Sequence, residues 1–132
     1  MAVDPVHHRI FSGCGNQIMT VLDLETGKVI GQVPIGDGCD GVGFGAATGL
    51  IFCANGEGTL TVAKESSPGK FEVVDTITTR RGARTLTVDS ATHTVYLPVG
   101  QQSGPPGGRG SAGSSAQSNS EDGEFVVMVI GQ

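Results

Sequence analysis

Arg80, Arg81 and Arg84 fall within five positions of a chain that has only eight Lys and Arg in 132 residues. Guanidinium forks match carboxylate and phosphate geometry, so this cluster has the chemistry of an anion site. The opposing reading is that the three side chains pair with Asp37, Asp40 or Glu57. Asp40, Asn16, Asn55 and Glu57 offer oxygen donors of the kind that hold a divalent cation, although loops rich in such residues are common. Cys14, Cys39 and Cys53 match no zinc-ligand spacing, and no nucleophile–base arrangement accompanies them. They read equally as small buried apolar residues. His7, His8 and His93 read as exposed turn residues, with His8 and His93 at equivalent places in a repeat and therefore too far apart to share a metal.

That repeat identifies the elements that position these groups. Ile10-Phe11 returns as Ile51-Phe52, 41 residues on, and as Val95-Tyr96, 44 residues further. Met19-Thr20-Val21 returns as Leu60-Thr61-Val62, and Gly27-Lys28 as Gly69-Lys70. A period of about 40–45 residues filled with short strands is the spacing of β-propeller blades. Each repeat reads as strands A, B, C and D followed by a loop to the next A. Residues 2–11 are strand, turn and strand, with Asp4-Pro5 starting the turn. Residues 17–23 and 28–35 complete the first unit, and Pro34 suits an outer edge strand because it cannot donate to a ladder. The second unit runs 41–45, 50–54, 59–64 and 71–77. The third runs 84–89, 94–98 and 124–130, which has the pattern of a strand C.

The predicted fold class is therefore all-β: a partial β-propeller with two four-stranded antiparallel blades and a three-stranded third. The repeats span about 2–40, 41–83 and 84–132 of a single domain. Residues 101–122 are Gly, Ser and Pro with almost nothing to bury, and such composition predicts a disordered loop insertion. In a propeller the D–A and B–C loops share one face. This gathers Gly36–Asp40 and Thr79–Arg84 with Gly13–Asn16, Asn55–Gly58 and the 101–122 insertion, and Arg84 is expected to open an inner strand near the channel. A small molecule or protein partner is expected on that face.

Composition agrees. There are 22 glycines and no Trp, which fits many short strands joined by tight turns rather than helices. A net charge of −5 argues against non-specific nucleic-acid binding. No run of 18 apolar residues is present to span a membrane.

Val21-Leu22-Asp23, Thr26-Gly27-Lys28-Val29 and Val33-Pro34-Ile35-Gly36 together resemble the YVTN-type, YncE-like propeller repeat. The second unit departs from it, with Ala63-Lys64 and Ser67-Pro68-Gly69-Lys70 at the matching places. The resemblance implies a seven-bladed, periplasmic or secreted parent of which this chain is a C-terminal piece, completed by the missing blades or by self-association. No charged-then-apolar leader follows Met1, so the chain alone reads as cytoplasmic. For a secreted parent, one disulfide is expected, with Cys14–Cys39 the preferred pairing. The function implied is a non-catalytic binding or scaffold propeller without a cofactor. The alternative is a propeller enzyme such as a metal-dependent lactonase or a dehydrogenase-like relative.

Overall fold

The computed structural model describes residues 1–100 and 125–131, with the backbone alone at Gly100, Phe125 and Val126. The expected 101–122 insertion lies outside the described residues. Eleven strands form, in the order β1 (Ala2–Asp4), β2 (Arg9–Cys14), β3 (Ile18–Asp23), β4 (Val29–Pro34), β5 (Cys39–Gly45), β6 (Leu50–Asn55), β7 (Thr59–Ser67), β8 (Lys70–Thr78), β9 (Thr87–Asp89), β10 (Thr94–Gly100) and β11 (Phe125–Ile130). They make three antiparallel meanders, β1-β2-β3-β4, β5-β6-β7-β8 and β9-β10-β11. This is the expected grouping of four, four and three. Among the described residues there is no helix, hence none long and apolar enough to cross a membrane.

Period-2 alternation decides which face of each strand is buried. In the first sheet, Phe11, Met19, Val21 and Val33 point to the second sheet and are almost fully buried. There they meet Ile51, Cys53 and Ala63. The other face of the second sheet carries Phe52, Ala54, Leu60 and Val62, which pack on Val95, Leu97 and Val99 of the third. The middle sheet is thus buried on both faces, and its β6 reads as a near-continuous apolar run. Burying a side chain of this size stabilises by about 1.5–3 kcal/mol relative to leaving it exposed, so the two layers between sheets are where the fold gains its stability.

The A–B turn shows why the repeat is legible. His8, Gly49 and His93 occupy one repeat position, and all three adopt left-handed backbone, with φ of 59°, 77° and 59°. Asp4 prepares the first copy by accepting from the Val6 and His7 N–H groups at 3.1 and 3.2 Å. Asp89 does the same for Ala91 N–H at 3.0 Å. The middle copy has Gly45 instead, whose carbonyl accepts from Gly49 N–H at 2.8 Å.

Two expectations need correction. The inner strand of the third sheet is Thr87–Asp89, so Arg84 precedes it in irregular backbone rather than opening it. The inner strand of the second sheet begins at Cys39 and carries a bulge between Cys39 and Gly41. Asp40 is the residue left over in that bulge, exposed, and it belongs to the strand rather than to a loop.

Candidate functional site

One end of the three sheets is a ridge of loops held together by backbone hydrogen bonds. Ile35 N–H donates to Gln17 C=O at 3.0 Å, which ties the first D–A loop to the first B–C turn. Gly56 N–H then donates to Gly38 C=O at 2.9 Å, and Glu57 N–H to Asp37 C=O at 3.2 Å. On the far side of the same turn, Gly82 N–H donates to Gly56 C=O at 2.8 Å and Thr79 N–H to Gly58 C=O at 2.8 Å. The 55–58 turn is therefore clasped between the loops that lead into the second and third sheets. Sequence spacing predicts this gathering of D–A and B–C loops, and the structure provides it.

The candidate residues divide by burial. Arg80, Arg81 and Arg84 are all exposed and held close to the clasped turn. A β-carbon placed on Gly58 would sit 3.3 Å from Arg81 N, and one on Gly56 would sit 3.7 Å from Arg84 Cβ. The Ala83 N–H to Arg80 C=O bond at 3.0 Å closes the tight turn that presents them. Among the described residues, the charged contacts within ion-pair distance are His7–Asp4, His8–Glu25 and Arg9–Glu65. None involves Arg80, Arg81 or Arg84. Pairing with Asp37, Asp40 or Glu57 is therefore not seen.

Glu57 instead accepts from the Thr59 hydroxyl at 2.7 Å. That bond and one from the Asp37 backbone N–H hold its carboxyl below the usual range, so it stays ionised on the ridge. Asn55 is fully buried and donates to Thr59 Oγ1 at 3.0 Å and Thr61 Oγ1 at 2.9 Å. It is an internal brace for the turn, not an available ligand, because it is the last residue of β6 and faces inward. Asn16 is exposed on the β2–β3 turn. Among the described residues no three His, Cys, Asp or Glu gather as metal ligands.

The cysteines depart from the expected pairing. All three are free thiols. Gly13, not Cys14, faces Cys39: a β-carbon on Gly13 would collide with Cys39 Sγ. Cys14 is one residue further along β2 and so points to the opposite face. There its Sγ lies 3.7 Å from Ser12 O and 3.9 Å from Thr20 Oγ1. The neighbour of Cys39 is Cys53. The adjoining Cys39 thiol, together with burial, raises the Cys53 thiol above the usual range.

Sequence reasoning missed a second feature, at the opposite end of the sheets. A cleft of about 470 Å³ opens between the first two sheets, floored by Phe11, Phe44 and Ile51. The Phe11 and Phe44 rings stack at 5.4 Å. Its rim carries His7, whose Nδ1 is 2.7 Å from the buried Asp4 Oδ2, and the Arg9–Glu65 pair at 3.0 Å. Arg9 also donates to His7 C=O at 2.9 Å. Only Asp4 and His7 are close enough in sequence to have signalled it. Glu65 arrives from 56 residues away.

No protein-family model matches the chain, and no curated protein matches it. Among solved structures, it is similar to the hydrazine synthase of Kuenenia stuttgartiensis, with a TM-score of 0.65 and 16% identity over 75% of this chain and 28% of that one. It is also similar to dihydro-heme d1 dehydrogenase NirN in complex with DHE, with a TM-score of 0.57 and 20% identity over 74% of this chain and 20% of that one. This chain therefore spans about a quarter and a fifth of their lengths. At such identities the likeness is one of fold. Together with the sheets of four, four and three antiparallel strands, it makes the chain a partial β-propeller.

Proposed function

We propose that the chain is a non-catalytic binding segment of a YncE-like propeller, and that its loop ridge takes a carboxylate-bearing ligand. The observation that carries this reading is the state of the arginines. Three exposed arginines stand on the loop that clasps the 55–58 turn, and none has a carboxylate of the described residues within 4.0 Å. A rigid scaffold with exposed donors on its loops is already arranged for a ligand, which keeps the ordering cost of binding low. The match of Val21–Asp23 and Thr26–Val29 to the YVTN-type repeat extends the proposal to an extracytoplasmic parent propeller.

Calorimetric titration with citrate, a probe with three carboxylates, tests the reading. Saturable binding is expected. Arg80→Gln/Arg81→Gln/Arg84→Gln should weaken it at least about 10-fold, since charge-assisted hydrogen bonds contribute roughly 1.5–3 kcal/mol each. Equal affinity of the triple variant and the parent would remove the ridge from consideration.

A further inference from the structure

The cleft at the far end of the sheets has two facing walls. The first A–B turn contributes Val6, His7 and Arg9, and the β7–β8 hairpin contributes Lys64, Glu65 and Pro68. Every lining residue belongs to one of the two four-stranded sheets or to their turns. The volume of about 470 Å³ lies within the range of small-molecule sites, about 300–1,000 Å³. The apolar side of the cleft is aromatic. Phe11 is already enclosed, stacked on Phe44 at 5.4 Å and met by the edge of Phe71 at 6.5 Å. Phe44 is only half-buried, and Val6 at the rim is 75% exposed.

The polar side has a surplus of donors. Asp4 is buried, with Oδ1 accepting from the Val6 and His7 N–H groups and Oδ2 at 2.7 Å from His7 Nδ1. Glu65 Oε2 accepts from both Arg9 and Gly69 N–H. Each acid is thus engaged. The bases are not fully so. Arg9 directs its two Nη groups to His7 C=O and Glu65, while its buried Nε has no partner among the described residues. Lys64 is exposed, with no carboxylate of the described residues within 4.0 Å. What is left over on this rim is mainly donor capacity, which suits an anionic group.

We infer that the cleft is a second binding site, for a small aromatic carboxylate. The ligand's ring enters beside Phe44 and extends the Phe11–Phe44 stack. Its carboxylate takes the Lys64 ammonium at the rim, where Arg9 offsets the charge of Glu65. Ring and charge are both required. Citrate has no apolar body, so it belongs to the arginine ridge and not to this cleft, and the two sites stand or fall independently.

The probe is 2-naphthoate, titrated into the full chain while backbone amide shifts are followed. Saturable shifts are expected at residues 6–9, 44–49 and 64–68. They should persist in Arg80→Gln/Arg81→Gln/Arg84→Gln, which removes the ridge from the result. 2-Naphthylmethanol, the same ring without the charge, should bind about 10-fold more weakly. Lys64→Gln changes an exposed side chain that the fold does not need. It should weaken 2-naphthoate about 10-fold and leave the alcohol's affinity unchanged. Absence of saturable cleft shifts below about 10 mM, well above the weak 1 mM reference affinity, overturns the inference. So does an alcohol that binds as tightly as the acid. A Lys64→Gln variant that keeps full affinity for 2-naphthoate, or weakens both probes alike, overturns it too.

Discussion

Arg9 of the first sheet donates from one Nη to Glu65 Oε2 of the second at 3.0 Å, bridging 56 residues of sequence. Gly69 N–H donates to the same oxygen at 2.7 Å, and the two side chains are 20% and 23% exposed. The pair thus fastens the rim of the cleft between two sheets that otherwise meet through apolar side chains.

Burial alone would push the Glu65 carboxyl up, but the Arg9 and Gly69 hydrogen bonds and the nearby positive charge outweigh it, and the net shift is downward. A carboxyl depressed in the folded state contributes stability above its unfolded value, about pH 4.3, and loses that contribution as the pH falls through the folded value. Glu65→Gln should therefore cost about 1 kcal/mol at neutral pH. It should also flatten the loss of stability below about pH 4.3. Urea unfolding at a series of pH values checks both. A variant whose pH profile parallels the parent's would show that Glu65 does not couple the sheets.

The thiols should separate by reactivity. Cys14 is half-exposed, whereas Cys39 and Cys53 are buried and Cys53 is fully so. An aromatic disulfide reagent added to the native protein should modify Cys14 quickly and the other two only on unfolding, because the thiolate must form and be reached. Cys14→Ser should abolish the fast phase. Fast reaction of two thiols in that variant would contradict the burial of the Cys39–Cys53 neighbours.

The close approach of the second and third sheets rests on a glycine. A β-carbon on Gly41 would lie 2.9 Å from Thr85 Cα and 3.1 Å from Arg84 C=O, both backbone atoms that cannot swing aside. Gly41→Ala should destabilise by about 1–3 kcal/mol through overpacking. Gly15→Ala, where no atom lies within 4 Å, should change stability by less than about 0.5 kcal/mol. Denaturant midpoints of the two variants measure the difference, and equal midpoints would mean that the loop before Thr87 is not packed as described.

These sites show what could be read in the residues and what could not. Strand order and blade grouping were legible, because alternation and the recurring left-handed turn at His8, Gly49 and His93 are local properties. The loop ridge followed from the same repeat. The bulge at Asp40 was not legible: Cys-Asp-Gly-Val carries no period that marks an extra residue, and the bulge puts Cys39 and Val42 on one face, toward Cys53. Nor was the inward aim of Asn55, which depends on Thr59 and Thr61 across a turn. The cleft was hidden for a different reason. Its polar rim is assembled from β7 and the first A–B turn, and no short-range spacing links Arg9 to Glu65.

The central claim is that the clasped loop ridge is the binding face, and mapping backbone amide shifts during a citrate titration tests it most directly. Saturable shifts confined to residues 36–40, 55–58 and 79–86 are predicted, with the cleft residues Phe44 and Glu65 unmoved. Shifts centred on the cleft, or none at concentrations approaching about 10 mM, well above the weak 1 mM reference affinity, would contradict it.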